Sequence, residues 1–256
     1  MKFNANLSLL YSELPFLERF AAAAEDGFRA VEIQFPYDTP AAEIKSALEQ
    51  AGLECVLINV PAGDLMSGGL GLACVPGREP EFEQALEQCI EYVRILRPTS
   101  VNVLAGRAAA EDRAESLNVL HSNINKAVSM LEPEGVQVTL EAINTYDMPE
   151  FLISSFAEMR DFIEESQVNV RMQFDIYHMT RMGEPVAALL RQYGSQIGHI
   201  QFADVPGRHE PGSGELDIKS LCTIAAESGY QGWFAAEYRP AGQSTREGLG
   251  WTSDFF

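Results

Sequence analysis

The sequence predicts an α/β protein that folds as a single (β/α)8 TIM barrel over residues 1–256. Eight short apolar runs alternate with stretches in which apolar residues recur at helical spacing. The length of 256 residues is typical of that barrel, and no linker rich in proline or serine divides the chain. A doubly wound open sheet is the main alternative. It is expected to carry a glycine-rich phosphate turn after its first strand, but here the first run leads into LSLLYSE.

The apolar runs are the eight predicted strands. They cover residues 3–8, 30–35, 55–60, 100–105, 136–143, 170–177, 199–205 and 233–238. Helix boundaries fit between them, since Pro40 precedes AAEIKSALEQ and Gly52 follows it. The connections 61–80 and 205–215 are longer than average. Because loops after barrel strands build the active site, both are predicted to act as lids.

Composition and charge exclude several classes of function. The chain has 18 Lys plus Arg against 37 Asp plus Glu, a net charge of −19, which would repel a nucleic acid. No apolar segment reaches the length of a membrane span or a signal peptide. The four scattered cysteines are typical of reduced packing residues. We therefore expect a cytoplasmic protein that acts on a small molecule, and the sequence is compatible with a homo-oligomer.

The predicted strands 5 to 8 each place an oxygen-bearing side chain near their carboxyl end. The fifth, GVQVTLEAIN, reads as a buried strand until Glu141. Asp175, Gln201 and Glu237 occupy similar positions in the next three strands. In a parallel barrel these ends meet at one mouth, where three carboxylates would repel one another and a divalent cation would remove the conflict. The set predicts a site for Mg²⁺ or Mn²⁺, although each residue alone could be a solvated rim residue or, for Gln201, a partner of the backbone.

Further polar residues fall near the same mouth. His178 lies three residues after Asp175, and Arg208 lies in the loop after the seventh strand, where it could instead pair with Glu210. Glu32 and Asn59 lie late in the second and third strands. These two could hydrogen-bond a polyhydroxy substrate or cap loops. Other residues have simpler readings: Asp204 as a rim residue or substitute ligand, and His121 and His199 as core or helix residues.

A series of motifs gives the chain a family resemblance. It carries ANLSLLY, FPYD, NVPAGD, PGRE, LEAIN, QFDIYHM, HIQFADVPGRHEPGSGE and EYRP, in this order from about residue 3 to about residue 251. In that order they resemble the hydroxypyruvate isomerase family, within the xylose-isomerase-like TIM-barrel sugar isomerases and epimerases. The joint order is more specific than any single motif.

The resemblance implies roles for individual residues. The glutamates of LEAIN and EYRP match the paired acid/base residues of the family, which implies catalytic roles for Glu141 and Glu237. These two, with Asp175 and Gln201, also match the divalent metal ligands. Related sugar epimerases have histidine at the seventh-strand position, so the glutamine favours the hydroxypyruvate isomerase branch.

The resemblance also bears on the substrate. By analogy His178 and Arg208 match substrate-contacting positions. Two departures lie near the mouth: Ile58 stands where some relatives have histidine, and Arg239 replaces a lysine in the last motif. They bear on the identity of the substrate.

The implied reaction interconverts hydroxypyruvate and tartronate semialdehyde through a metal-stabilised enediolate, with two glutamates moving protons. It is redox-neutral, so neither nicotinamide nor flavin is expected. The nearest alternative is a 2-oxo-tetronate isomerase or another ketose or sugar-acid isomerase or epimerase of the same superfamily. A barrel-fold metal-dependent endonuclease would want a histidine-rich zinc site and a basic groove, whereas this chain has 4 histidines and a charge of −19. A non-catalytic sugar-acid binding protein is the remaining alternative, against which the intact glutamates argue.

Overall fold

The computed structural model describes residues 1–254, and within them eight parallel strands close into a barrel. Each strand pairs with the next along the chain, and the eighth pairs with the first. The strands are β1 (Lys2–Asn6), β2 (Ala30–Ile33), β3 (Glu54–Asn59), β4 (Ser100–Val103), β5 (Gln137–Glu141), β6 (Val170–Asp175), β7 (Ile197–Phe202) and β8 (Trp233–Ala236). The predicted (β/α)8 barrel is confirmed, and the doubly wound open sheet is wrong.

Helices connect the strands along the outside of the barrel. Within residues 1–254 they are α1 (Arg19–Glu25), α2 (Ala41–Ala51), α3 (Glu79–Leu96), α4 (Arg113–Leu131), α5 (Phe156–Glu165), α6 (Ile176–Arg181), α7 (Val186–Tyr193) and α8 (Ile218–Glu227). A 3-10 segment, Thr245–Asp254, follows β8. The predicted boundaries of α2 are confirmed, since it begins after Pro40 and ends at Gly52, whose φ of 65° suits a residue without a Cβ. None of these helices is long and apolar enough to cross a membrane.

The apolar core lies outside the barrel, between the strands and the outer layer. Phe3 of β1 stacks on Phe234 of β8, with ring centroids 5.5 Å apart, and meets Phe202 of β7 edge-on at 6.1 Å. Trp251 covers this group from the 3-10 segment, 5.4 Å from Phe202. Burial of such large rings is a main source of the stability of the fold.

The inside of the barrel is polar instead. Glu32 of β2 accepts a hydrogen bond of 2.7 Å from His199 Nε2 of β7, and these two strands are not neighbours, so both side chains point into the barrel. Asn6 of β1 also donates to Glu32, at 2.8 Å. Thr139 of β5 donates to Gln173 of β6, at 3.0 Å. All five are buried, and their mutual hydrogen bonds offset the cost of removing them from water.

Several strands end earlier than the sequence predicts because polar side chains capture the next backbone groups. The first ends at Asn6 rather than at residue 8, since Asn6 Oδ1 accepts from the backbone N–H of Ser8. The sixth ends at Asp175 rather than at residue 177. The Asp175 carboxylate caps α6 by accepting from the backbone N–H of Tyr177 at 2.7 Å, which places the last two predicted strand residues in a helix.

Candidate active site

The four predicted metal ligands lie together at the carboxyl end of the barrel. Glu141 and Asp175 are the last residues of β5 and β6, Gln201 is the penultimate residue of β7, and Glu237 directly follows β8. All four are buried, with 1–4% of their surface exposed. Glu141, Gln201 and Glu237 line one pocket, together with His178, Arg208 and Asn59. Strand topology therefore brings the four residues to one place, and their role as ligands stays a prediction.

A group suited to a divalent ion lies within this cluster. Glu141, Asp175 and His178 each offer an atom within 4.8 Å of the others. Asp175 Oδ2 lies 3.5 Å from His178 Nε2 but accepts no hydrogen bond from any described residue. A buried carboxylate oxygen without a donor is costly, and a cation would satisfy it. The donor set therefore fits a hard divalent ion.

Arg208 supplies positive charge to the same cluster. Its Nη2 lies 2.6 Å from Glu237 Oε1 and 3.6 Å from Asp175 Oδ2, and its side chain is 18% exposed. The guanidinium also lies over the ring of Tyr177, 5.0 Å from the centroid. The surface pair with Glu210 is not formed, because the two buried acids attract the guanidinium inward.

The remaining predicted residues are placed at different depths. Glu32 is fully buried and accepts a hydrogen bond of 2.9 Å from Gln201 Nε2, so it orients the side chain of a predicted ligand. Gln201 Nε2 also donates to Glu237, while its Oε1 accepts from Gln173 at 2.8 Å. Asn59 lines the pocket with a buried Oδ1 that has no hydrogen-bond partner among the described residues, as expected of a group that awaits a ligand. Substrate contacts of Glu32 and Asn59 stay predictions.

The buried acids hold their protons more tightly than exposed acids do. Burial, followed by the charge of Asp175, raises the pKa of Glu141 well above its usual value. Burial likewise raises the pKa of Glu237 and, less strongly, that of Asp175, although Arg208 opposes both shifts. The pKa of His178 is well below its usual value because of burial and the charges of two arginines, so its imidazole is neutral. Carboxyl groups with raised pKa values are common at sites of proton transfer.

The acids depend on amide partners that sequence reasoning did not select. Glu141 Oε2 accepts from Asn102 Nδ2 at 3.1 Å and from Gln173 Nε2 at 3.2 Å. A signal for such partners exists in the sequence, since polar residues two apart in a buried strand face the same side. Gln173 and Asp175 show it in β6, as do His199 and Gln201 in β7.

Asp204 organises the loop that carries Arg208. The predicted seventh strand, 199–205, ends at Phe202 instead, and the buried carboxylate of Asp204 accepts four backbone hydrogen bonds of 2.9–3.0 Å. The donors are Val205, Gly212, Gly214 and Leu216. At Gly214 a Cβ would lie 1.9 Å from the carbonyl oxygen of Val205, so only glycine fits. The loop is thus built around Asp204, and its motion as a lid stays a prediction.

We expect Asp204→Asn to loosen the loop and to lower kcat/KM. The NH₂ group of the asparagine would face backbone N–H groups, which then have no acceptor. Leaving such a buried donor unpaired costs about 1–3 kcal/mol of stability. Hydrogen exchange across 205–215, urea unfolding and turnover check this. Asp217→Asn is the matched control, because Asp217 caps α8 at an exposed position. Unchanged exchange in 205–215 would contradict the anchoring role.

Comparisons with known proteins agree with this architecture. Residues 20–255 match the family model described as xylose isomerase-like TIM barrel. The chain is 39% identical to a hydroxypyruvate isomerase of Escherichia coli, over 100% of this chain and 99% of that protein. It is 41% identical to a 2-oxo-tetronate isomerase of Cupriavidus necator, over 99% and 98%. The crystal structure of a protein named AP endonuclease, family 2, from Brucella melitensis superposes with a TM-score of 0.95 at 36% identity, over 99% and 98%.

The resemblance read from the motifs is therefore confirmed over the full length. The chain belongs to the xylose isomerase-like TIM barrel family, as a hydroxypyruvate isomerase-like isomerase.

Proposed function

We propose that this protein interconverts hydroxypyruvate and tartronate semialdehyde, with Glu141 and Glu237 as the acid/base pair. The observation that carries the proposal is a pair of buried glutamates with raised pKa values in one pocket, close to a guanidinium. Relatives with two different names, hydroxypyruvate isomerase and 2-oxo-tetronate isomerase, match almost equally well, at 39% and 41% identity. A four-carbon 2-oxo acid is therefore the second candidate substrate.

The reaction moves a carbonyl group between adjacent carbons. A base removes a proton from C3 of hydroxypyruvate to give an enediolate. The proton of the C3 hydroxyl passes to the C2 oxygen, and an acid delivers a proton to C2 to give tartronate semialdehyde. Glu141 ends β5 and Glu237 directly follows β8. Because β6 and β7 lie between these two strands, the two glutamates approach the pocket from different sides. One glutamate takes the first proton and the other delivers the second. Burial raises the pKa of both glutamates, so each is suited to hold a proton as well as to release one.

Other residues of the pocket bind and orient the substrate. Arg208 is suited to the substrate carboxylate, because a guanidinium makes bidentate contacts with carboxylates. Phe35, Leu104 and Ile143 line the pocket and exclude water from the enediolate. Glu141, Asp175, Gln201 and Glu237 would hold the cation. When bound, Mg²⁺ or Mn²⁺ supplies Lewis-acid polarisation of the substrate carbonyl.

A substrate panel tests the proposal. The protein is stripped of metal with a chelator and assayed with hydroxypyruvate, a four-carbon 2-oxo acid and a neutral ketose, before and after Mg²⁺ or Mn²⁺ is added back. We expect metal to restore turnover of the oxo acids, with the ketose turned over far more slowly because it lacks a carboxylate for Arg208. Equal turnover of the ketose, or full activity of the stripped protein, would overturn the proposal.

The name of the Brucella protein raises DNA cleavage as an alternative. The net charge of −19 disfavours a DNA-binding groove. Of the four histidines only His178 lines the pocket, since His121 stacks on Phe162, His199 pairs with Glu32, and His209 bonds the carbonyl of Arg239. A histidine-rich zinc cluster therefore has no basis in residues 1–254. Cleavage of an abasic-site duplex is expected to be absent.

Metal affinity is expected to rise with pH. Burial raises the pKa of Glu141 and of Glu237, so these groups stay protonated to higher pH, and a divalent ion must displace the protons. Affinity should fall as the pH drops below the raised pKa values and level off above them. Calorimetric titration with Mn²⁺ in buffers of different ionisation enthalpy counts the released protons. Binding that is independent of pH between about 5 and 8, with no proton release, would contradict this expectation.

A further inference from the structure

The ring of His178 has an ambiguous role in the site. Its Nε2 lies 3.5 Å from Asp175 Oδ2 and 3.9 Å from Glu141 Oε1, so the three residues together have the composition of a metal site. A neutral imidazole carries one proton, and only the nitrogen without it can bind a metal. The position of that proton therefore decides whether the ring is a ligand or a hydrogen-bond donor.

The side-chain amide of Asn144 is oriented from both ends. Its Oδ1 accepts a hydrogen bond of 2.9 Å from the backbone N–H of Asp147, and an N–H group can only donate. Its Nδ2 donates a hydrogen bond of 3.0 Å to the carboxylate of Asp147, and a carboxylate can only accept. The same carboxylate oxygen also accepts a hydrogen bond of 2.9 Å from the hydroxyl group of Tyr177. A flipped amide would lose both contacts with Asp147, so the assignment of oxygen and nitrogen is fixed.

This orientation determines what faces His178. Asn144 Nδ2 lies 2.6 Å from His178 Nδ1, and the backbone N–H of Asn144 points to the same nitrogen at 3.5 Å. Two donors face one ring nitrogen, which must therefore present its lone pair to them. The single proton of the ring is left on Nε2, which points toward the acids of the pocket.

We propose that Asn144, held by Asp147, is a positioning residue that fixes His178 as the Nε2–H tautomer, so that the ring donates a hydrogen bond to the substrate instead of binding the metal. The donor lies beside the pocket in which an enediolate oxygen would gain negative charge, and oriented donors stabilise such charge. Glu141 and Asp175 then remain as carboxylate ligands, without the imidazole. The identity of the substrate oxygen rests on the proposed function, whereas the tautomer is a property of the free protein.

Nuclear magnetic resonance of the ¹⁵N-histidine-labelled protein tests the tautomer directly. The chain has four histidines, and the His178→Gln variant assigns the signal of His178. We expect a protonated Nε2 and an unprotonated Nδ1 in the metal-free protein, unchanged when Mg²⁺ is added. A protonated Nδ1, or an Nε2 that loses its proton when Mg²⁺ binds, would overturn the proposal.

Asn144→Asp provides the second measurement. A carboxylate in place of the amide accepts from Nδ1–H, so the proton of His178 should move to Nδ1 and Nε2 should lose its donor character. Loss of one such donor typically lowers kcat by about 10²–10³-fold, and we expect this effect on kcat rather than on KM. Asn118→Asp, the same change at an exposed position of α4, is the matched control. A folded Asn144→Asp variant with an unchanged tautomer would contradict the positioning role. If no oxo acid is turned over but the tautomer is as expected, the proposed function fails and this inference stands.

Discussion

Replacement of Glu141 or of Glu237 by glutamine is expected to lower turnover by about 10²–10⁴-fold, even at saturating metal. A glutamine can still coordinate a cation through its amide oxygen, but it cannot take a proton as a carboxylate does. Both acids are buried and both have raised pKa values, which supports their proposed role as proton carriers. If added metal restores the activity of a glutamine variant, the glutamate that it replaces acts only as a metal ligand.

Solvent deuterium exchange separates the roles of the two glutamates. The substrate is incubated in D₂O with each variant, and incorporation at the carbon-bound positions is followed by mass spectrometry. We expect one variant to block exchange from hydroxypyruvate while the other retains part of it, because each acid serves one carbon. Glu87→Gln is the control for the loss of charge, since Glu87 is exposed on α3. Metal-saturated variants with near-normal turnover would place the proton carriers elsewhere, and His178 would be the first residue to examine.

The location of the pocket could be predicted from the sequence because parallel strands impose it. Once the eight apolar runs form a barrel, the side chains at their carboxyl ends have only one mouth to share. Glu141 and Asp175 were therefore predictable from strand ends alone. The position of Glu237 at a strand end was predictable to within one residue, since β8 ends at Ala236 and Glu237 comes next.

Contacts within loops and between side chains were not predictable in this way. The sequence suggests that Asp204 is a rim residue or substitute ligand, yet its carboxylate accepts four backbone hydrogen bonds from its own loop. The depth of Glu32 depends on where β2 lies relative to His199, which no spacing in the sequence reveals. The Asn144–Asp147 pair depends on the shape of the loop after β5. Such contacts are decided by backbone geometry rather than by periodicity.

Asp175→Asn is expected to weaken metal binding and activity together. The two carboxylate oxygens of Asp175 have different surroundings. Oδ1 caps α6 through the backbone N–H groups of Tyr177 and His178, whereas Oδ2 has no hydrogen-bond partner among the described residues. An asparagine can keep the cap with its oxygen, but it places an NH₂ group where the negative oxygen was, facing His178 and Arg208. The variant should therefore fold and yet lose a ligand.

The size of the effect follows from the position of the lost charge. Mutation of a residue that only supports a ligand typically costs about 10–100-fold in metal affinity, so removal of a ligand itself should cost at least that much. Mn²⁺ titration of the variant, with turnover measured across the same concentrations, gives both quantities. Asp217→Asn is the matched control, because Asp217 also caps a helix but lies outside the pocket. If Asp175 holds the metal only through Oδ2, as proposed, activity should recover in proportion to occupancy as Mn²⁺ is raised. Wild-type affinity with lost activity would instead assign Asp175 a part in the proton transfers.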